Sequence, residues 1–173
     1  KKDREKQHLL KQLISPFILR RTKAEVLDEL PEKTELIVPV ELSEEEMAIY
    51  ENIRTRTLSG LQSEKINPIE ALMALTKLRQ AACSPELVDK HLTIPSSKIR
   101  VFLELVSELK ENKHRALVFS QFTSFLALVR QALDKAGIEY LYLDGSVPAA
   151  QRKKLVETFQ NGDIPLFLIS LKA

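Results

Sequence analysis

Three short apolar runs in the last third of the chain, RALVFS, EYLYL and PLFLIS, alternate with stretches of helical spacing, and this alternation restricts the fold more than any other feature. The final run is apolar at nearly every position from 166 to 171, which suits a strand covered on both faces better than one half exposed to water. Such strands sit in the middle of parallel sheets, where each neighbour is reached through a crossover. Helices expected over 125–135 and 151–159 supply the crossovers, so strand, helix, strand, helix, strand makes a parallel sheet with right-handed connections. In open sheets of this kind ligands bind just beyond the carboxyl ends of the strands. The residues leaving each strand are therefore the first candidates for function.

The preceding residues read as mainly helical. Leu9, Leu10, Leu13, Ile14 and Phe17 follow helical spacing, with Pro16 starting a new turn or kinking the helix. A second helix is expected over 18–30, ended by Pro31, and residues 36–40 have extended character, with Pro39 confining them to an edge strand. Ser43 and Glu46 form a capping box that opens a helix carrying Met47, Ile49, Tyr50 and Ile53. Asn67, Pro68 and Glu70 repeat the device as cap, first and third helical positions. The stretch SGLQSEKIN between these two helices reads as a surface loop. A further helix over 97–110 presents Ile99, Phe102, Leu103, Val106 and Leu109 on one stripe. The texture changes near residue 95, which divides the chain into a helical region, 1–95, with a short extended segment, and an α/β region, 96–173.

Composition narrows the function classes. With 44% hydrophobic and 29% charged residues in 173, the chain is an ordinary globular one and long enough for one or two domains. No apolar run approaches the ~20 residues of a membrane helix, and the charged opening KKDREKQHLLKQ is unlike a signal peptide, so a soluble, unexported protein without membrane contact is expected. The single Cys83 reads as a small buried hydrophobe, and His8, His91 and His114 lack ligand spacing, so no metal is assigned. A net charge of +2 decides nothing about nucleic acid, because that depends on clustering. The first residues already read as helix without an initiator methionine, and the chain stops on a strand; both suggest a piece of a longer protein.

The hardware of nucleotide chemistry is not in the sequence. Gly60, Gly137, Gly145 and Gly162 stand alone, and neither G-x-x-x-x-G-K-[ST] nor G-x-G-x-x-G occurs. The acidic pair in DEL, residues 28–30, falls on an expected helix rather than at a strand end, and no Ser, His and Asp set falls on recognisable turns. What remains follows the strands: SQFT at 120–123, DGS at 144–146, and Ser170 and Lys172. Their hydroxyls, amides and backbone N–H groups suit phosphate oxygens, although each residue alone has a plainer use: Ser120 or Thr123 as a helix cap, Gly145 as a tight turn. Arg152, Lys153 and Lys154 add positive charge at a helix start; Arg20, Arg21 and Lys23 form a second basic group. Arg79 and Gln80 lie at a helix end before Pro85, where a cation complements terminal carbonyls.

Taken in order, PFILRRTKAEV, LPEKTELIVPVELSEEE, LTKLRQAACSPEL, SSKIRVFLELV, RALVFSQFTSFLALV, YLYLDGSVPAAQRKKLVETFQ and LFLISLKA resemble the middle and C-terminal part of the sucrose-non-fermenting (Snf-type, Swi/Snf) helicase-like ATPases of helicase superfamily two. The resemblance covers essentially the whole chain. It implies a truncated RecA-like parallel sheet with flanking helices, preceded by the helical region between the two lobes. ALVFSQFT resembles motif IV, LDGS with Arg152 resembles motif IVa, and LISLKA resembles the start of motif V. By that likeness Ser120, Gln121, Thr123, Gly145, Arg152 and Lys172 are expected to contact the backbone of duplex DNA, and Arg20, Arg21 and Arg79 to contact DNA or the other lobe. Ser84 stands where many relatives carry His, and Ser97 where Gly is common.

The resemblance further implies ATP and Mg2+ as cofactors of the complete protein, the N-terminal RecA-like lobe of the same chain as a partner, and a DNA-bound protein as the target of remodelling. The phosphate loop, the acidic magnesium residues and the arginine of motif VI are not in this sequence, so the chain alone is expected to bind no cofactor and hydrolyse no ATP. A bacterial-type cytoplasmic protein is expected, with no nuclear signal visible, or a nuclear one if the source is eukaryotic. The competing reading is a non-catalytic protein-interaction module on an α/β scaffold; a small-molecule enzyme lacks a recognisable catalytic set.

Overall fold

The computed structural model describes residues 2–18, 34–61 and 68–172. The chain divides into two compact units, residues 1–38 and 39–173. In the first, helix α1 (Lys2–Ile14) gives way to a 3-10 turn (Ser15–Phe17) at Pro16, as expected of a residue with no N–H to continue the helix. Ile18 is extended, so no helix starts there, and the remainder of the helix expected over 18–30 lies outside the described residues.

Residues 34–43 take no regular structure, and the edge strand expected over 36–40 does not form. Strand propensity in an isolated segment gains nothing without a neighbour to complete its ladder, and Pro39 supplies one donor fewer. Leu36 and Ile37 are exposed.

The second unit opens with α2 (Glu44–Leu61) and α3 (Pro68–Ala81). The capping box at Ser43 is present in both directions: the Ser43 N–H donates to Glu46 Oε2 (2.9 Å) and the Glu46 N–H to Ser43 Oγ (3.3 Å). Helix α2 runs through 61, three residues into the expected loop, and Ser59 Oγ donates to Arg56 O instead of breaking the helix. Pro68 takes the first helical position of α3, as expected, while Asn67 lies outside the described residues. A 3-10 turn (Pro85–Leu87) leads to α4 (Ser97–Glu111), whose cap Ser96 accepts from the Ile99 N–H (3.3 Å).

The rest is β1 (Ala116–Ser120), α5 (Thr123–Lys135), β2 (Tyr140–Leu143), α6 (Ala149–Asn161) and β3 (Leu166–Ser170). All pairings are parallel in the order β1-β3-β2, so the most apolar strand is central. Leu166 and Leu168 face a core with Val106 of α4 and Leu126, Val129 and Leu133 of α5. Phe167 points the opposite way, its ring 5.4 Å from that of Phe159 on α6. Layers on both faces explain why β3 reads as a continuous apolar run.

β1 departs from the buried run expected: Leu117 and Phe119 are 51% and 53% exposed. It is an edge strand covered on one face by the α4 and α5 layer. No helix among the described residues is long and apolar enough to cross a membrane.

Candidate nucleic-acid interface

Because the three strands are parallel and in register, their carboxyl ends share one edge. Ser120 and Ser170 are paired across β1 and β3 and turn the chain the same way: Ser120 Oγ accepts from the Phe122 N–H (3.1 Å), and Ser170 Oγ from the Lys172 N–H (3.2 Å). The Leu171 N–H donates to Ser120 O (2.9 Å), binding the β1 and β3 exits together. At Gly145, after β2, a Cβ would lie 3.5 Å from Lys172 O, so the third exit lies against the second. Ser120, Gln121, Thr123, Gly145 and Lys172 are thus brought to one edge.

Their individual environments differ. Thr123 is exposed in the first turn of α5; the cap is Phe122, which offers no side-chain bond, so neither Ser120 nor Thr123 caps this helix. Gly145 is exposed in a turn, and Lys172 is exposed beyond β3. Arg152 is half-buried: its Nε donates to Val147 O (2.9 Å) and its Nη2 reaches Asp144 O (3.5 Å). It braces the β2–α6 loop, unlike a freely solvated helical cation. Lys153 does stay solvated, in a loose pair with Glu157 at 3.8 Å.

Arg79 does not serve the carbonyls of its own helix end. Its Nη2 donates to Gln121 Oε1 (2.5 Å) and its guanidinium carbon lies 5.8 Å from the centre of the Phe122 ring. Arg20 and Arg21 lie outside the described residues. Cys83 is half-buried, with burial pushing its thiol up and Lys98 and Arg79 opposing the shift.

A network that sequence spacing leaves unassigned supports the β2 exit. Asp144 Oδ1 accepts from the Ser146 hydroxyl (2.5 Å) and N–H (2.9 Å), and Oδ2 from the Tyr142 hydroxyl (2.7 Å). Bonds from the Ser146 hydroxyl and Tyr142 hydroxyl, then the Ser146 N–H, hold its carboxyl below the usual range. Burial, with the bond to Asp144, pushes the Tyr142 phenol up to about 12. Arg130 on α5 stacks over Tyr142 at 4.5 Å and donates to the Tyr140 hydroxyl (3.3 Å), which donates to Asp134 (3.0 Å). The available signal was the one-turn spacing of Arg130 and Asp134 together with the two-residue spacing of Tyr140 and Tyr142, which places each pair on one face.

The edge therefore carries an amide at Gln121, a hydroxyl at the start of α5 and the exposed cation Lys172, while the N–H groups of Phe122, Ser146, Leu171 and Lys172 are spent inside the protein. Such groups can donate hydrogen bonds to an anion. Among the described residues no three His, Cys, Asp or Glu gather as a metal site, and no strand end carries a phosphate-cradling loop. Among the described residues, the groups at this edge do not make up an ATP–Mg2+ centre of their own.

Comparison with known proteins agrees with this architecture. Residues 1–87 match the SNF2-related domain and residues 97–173 the helicase conserved C-terminal domain. The chain is 35% identical over 174 residues to the chromodomain-helicase-DNA-binding protein 1-like of Danio rerio, covering 95% of this chain and 17% of that protein. It is 36% identical over 168 residues to an uncharacterized ATP-dependent helicase of Mycoplasma pneumoniae, covering 96% and 16%. The chain thus spans about a sixth of the length of these curated relatives. The SWI2/SNF2 ATPase core of Sulfolobus solfataricus, solved in complex with dsDNA, superposes with a TM-score of 0.74 at 27% identity, covering 94% of this chain and 36% of that one. The chain belongs to the SNF2-related family.

Proposed function

We propose that this chain is part of an ATP-dependent motor that tracks along duplex DNA and remodels protein bound to it. Residues 96–173 contribute the first part of the second RecA-like lobe, and residues 1–95 the helical region between the lobes. The observation that carries the reading is the single donor-rich edge built by Gln121, Thr123, Gly145 and Lys172 at the ends of three parallel strands. The relative solved with duplex DNA lends it support. Sequence-independent backbone contacts suit a translocase, which must hold every register along the duplex equally well.

ATP and magnesium belong to the assembled motor, because phosphoryl transfer requires phosphate cradle, metal and charge-stabilising arginine in one centre. Arg152 has a supporting role, fixing the loop that presents Gly145, and Ser120 sets the turn that presents Gln121 and Thr123.

Titration of the intact protein with duplex DNA across a salt series tests the reading. Lys172→Ala should weaken binding and lower the slope of log K against log[salt] by ~0.9, the release of one counterion. It should also reduce DNA-stimulated ATP turnover. An unchanged slope with unchanged stimulation would overturn the proposal.

A further inference from the structure

Arg79 is a cation at the proposed DNA edge whose guanidinium is already engaged by the protein. It reaches from the last turn of α3 to the β1–α5 loop, donating to Gln121 Oε1 at 2.5 Å and lying against Phe122. A guanidinium has five N–H donors and no acceptor, so it accepts only one orientation of a neighbouring amide. With Oε1 turned to Arg79, the two N–H donors of Nε2 have no acceptor among the described residues. The Phe122 side of the loop is fixed too, since its N–H is held by Ser120 Oγ at 3.1 Å.

We infer that Arg79 is a positioning residue which sets the polarity of the Gln121 amide, turning both Nε2 donors toward an acceptor-only ligand, the phosphate oxygens of duplex DNA. In this role Arg79 does not itself touch phosphate. It also makes α3 a lever on the loop: a shift of the helix end moves the amide. The inference rests on the reading of the strand ends as the phosphate-binding edge.

A neutral amide donor and a direct cationic contact differ in salt dependence, and this separates the alternatives. Duplex binding by the intact protein is measured by fluorescence anisotropy over a salt series for Arg79→Ala, Gln121→Ala, the double variant and Gln121→Glu, with Lys172→Ala as the marker of the edge itself. Gln121→Ala should weaken binding about tenfold, the worth of one hydrogen bond to a charged acceptor. Arg79→Ala should weaken it by no more than that, add nothing in the Gln121→Ala background, and leave the salt slope unchanged. Gln121→Glu keeps a partner for Arg79, and hence the fold, but replaces the donors by a second acceptor; it should bind more weakly than Gln121→Ala.

A slope lowered by ~0.9 in Arg79→Ala would mean that Arg79 grips phosphate itself, overturning the inference while the edge stands. Additive losses, or full binding by Gln121→Glu, overturn it as well. If Lys172→Ala also leaves binding untouched, the reading of the edge fails and the inference falls with it.

Discussion

Glu46 accepts hydrogen bonds from both the backbone N–H (3.0 Å) and the hydroxyl (2.5 Å) of Ser97, a residue 51 positions further along the chain. The same carboxylate closes the capping box on Ser43 and is only 2% exposed. Two helix N-termini, those of α2 and α4, thereby converge on one buried negative charge, where both macrodipoles favour it. Ser97 supplies two of the donors, one from its backbone and one from its side chain.

Removing this carboxylate should therefore loosen two helices at once. Glu46→Ala leaves the Ser43 and Ser97 N–H groups without their acceptor and should cost about 3 kcal/mol, while Glu46→Gln, which keeps the shape but one oxygen fewer, should cost about 1–2 kcal/mol. Ser97→Ala should cost about 1 kcal/mol. Urea midpoints at constant m-value measure all three; a neutral Glu46→Gln would refute the shared cap.

The same group predicts acid sensitivity. Burial alone would raise the Glu46 carboxyl, but bonds from the Ser97 hydroxyl, the Ser43 and Ser97 N–H groups and the Ser43 hydroxyl together hold it below its ordinary value of 4.5. A depressed folded value means that its stabilisation is full above 4.5 and is lost as pH falls through the lower folded value. Glu46→Gln should flatten that part of the acid limb of a stability–pH curve measured by urea unfolding. An acid limb of unchanged steepness would show that other carboxylates govern it.

Arg115 closes the far end of α6. Its Nη1 donates to Phe159 O (2.6 Å), Gly162 O (2.9 Å) and Gln160 O (3.3 Å), and the guanidinium lies 5.3 Å from the Phe159 ring centre. Arg115→Ala should cost about 1 kcal/mol and Arg115→Lys less, since a point charge still complements the last carbonyls. Amide hydrogen exchange should localise the effect to residues 158–163; uniform loss of protection would contradict the capping role.

The layering of the sheet predicts unequal costs for two leucines on paired strands. Leu168→Ala, at a fully buried central position, should cost roughly 2–5 kcal/mol, whereas Leu117→Ala, half-exposed on the edge strand, should cost about 1 kcal/mol or less. Thermal unfolding of the two variants measures the difference. Equal losses would place Leu117 in a core.

Where local chemistry is self-contained, the sequence was legible. The capping box at Ser43, Pro68 at the start of α3 and the stripe along α4 each need only residues within a few positions of one another. The edge strand expected over 36–40 failed because a strand exists only with a partner, which no local pattern guarantees. Gln121 and Lys172 were legible as candidates because parallel topology obliges strand ends to share an edge. Arg152 was legible as a cation but not as a brace, since its partners are carbonyls that carry no sequence signature.

By itself, the order of apolar runs and helical spacings determined the α/β class, the central place of β3 and the edge on which polar residues gather, because burial periodicity is written residue by residue. Tertiary structure alone decided that Glu46 serves a helix 51 positions away and that Arg79 turns toward Gln121 rather than toward its own helix end. Hydrogen bonds between residues distant in sequence depend on the backbone geometry that brings donor and acceptor within about 3 Å, and that geometry is a property of the packed whole.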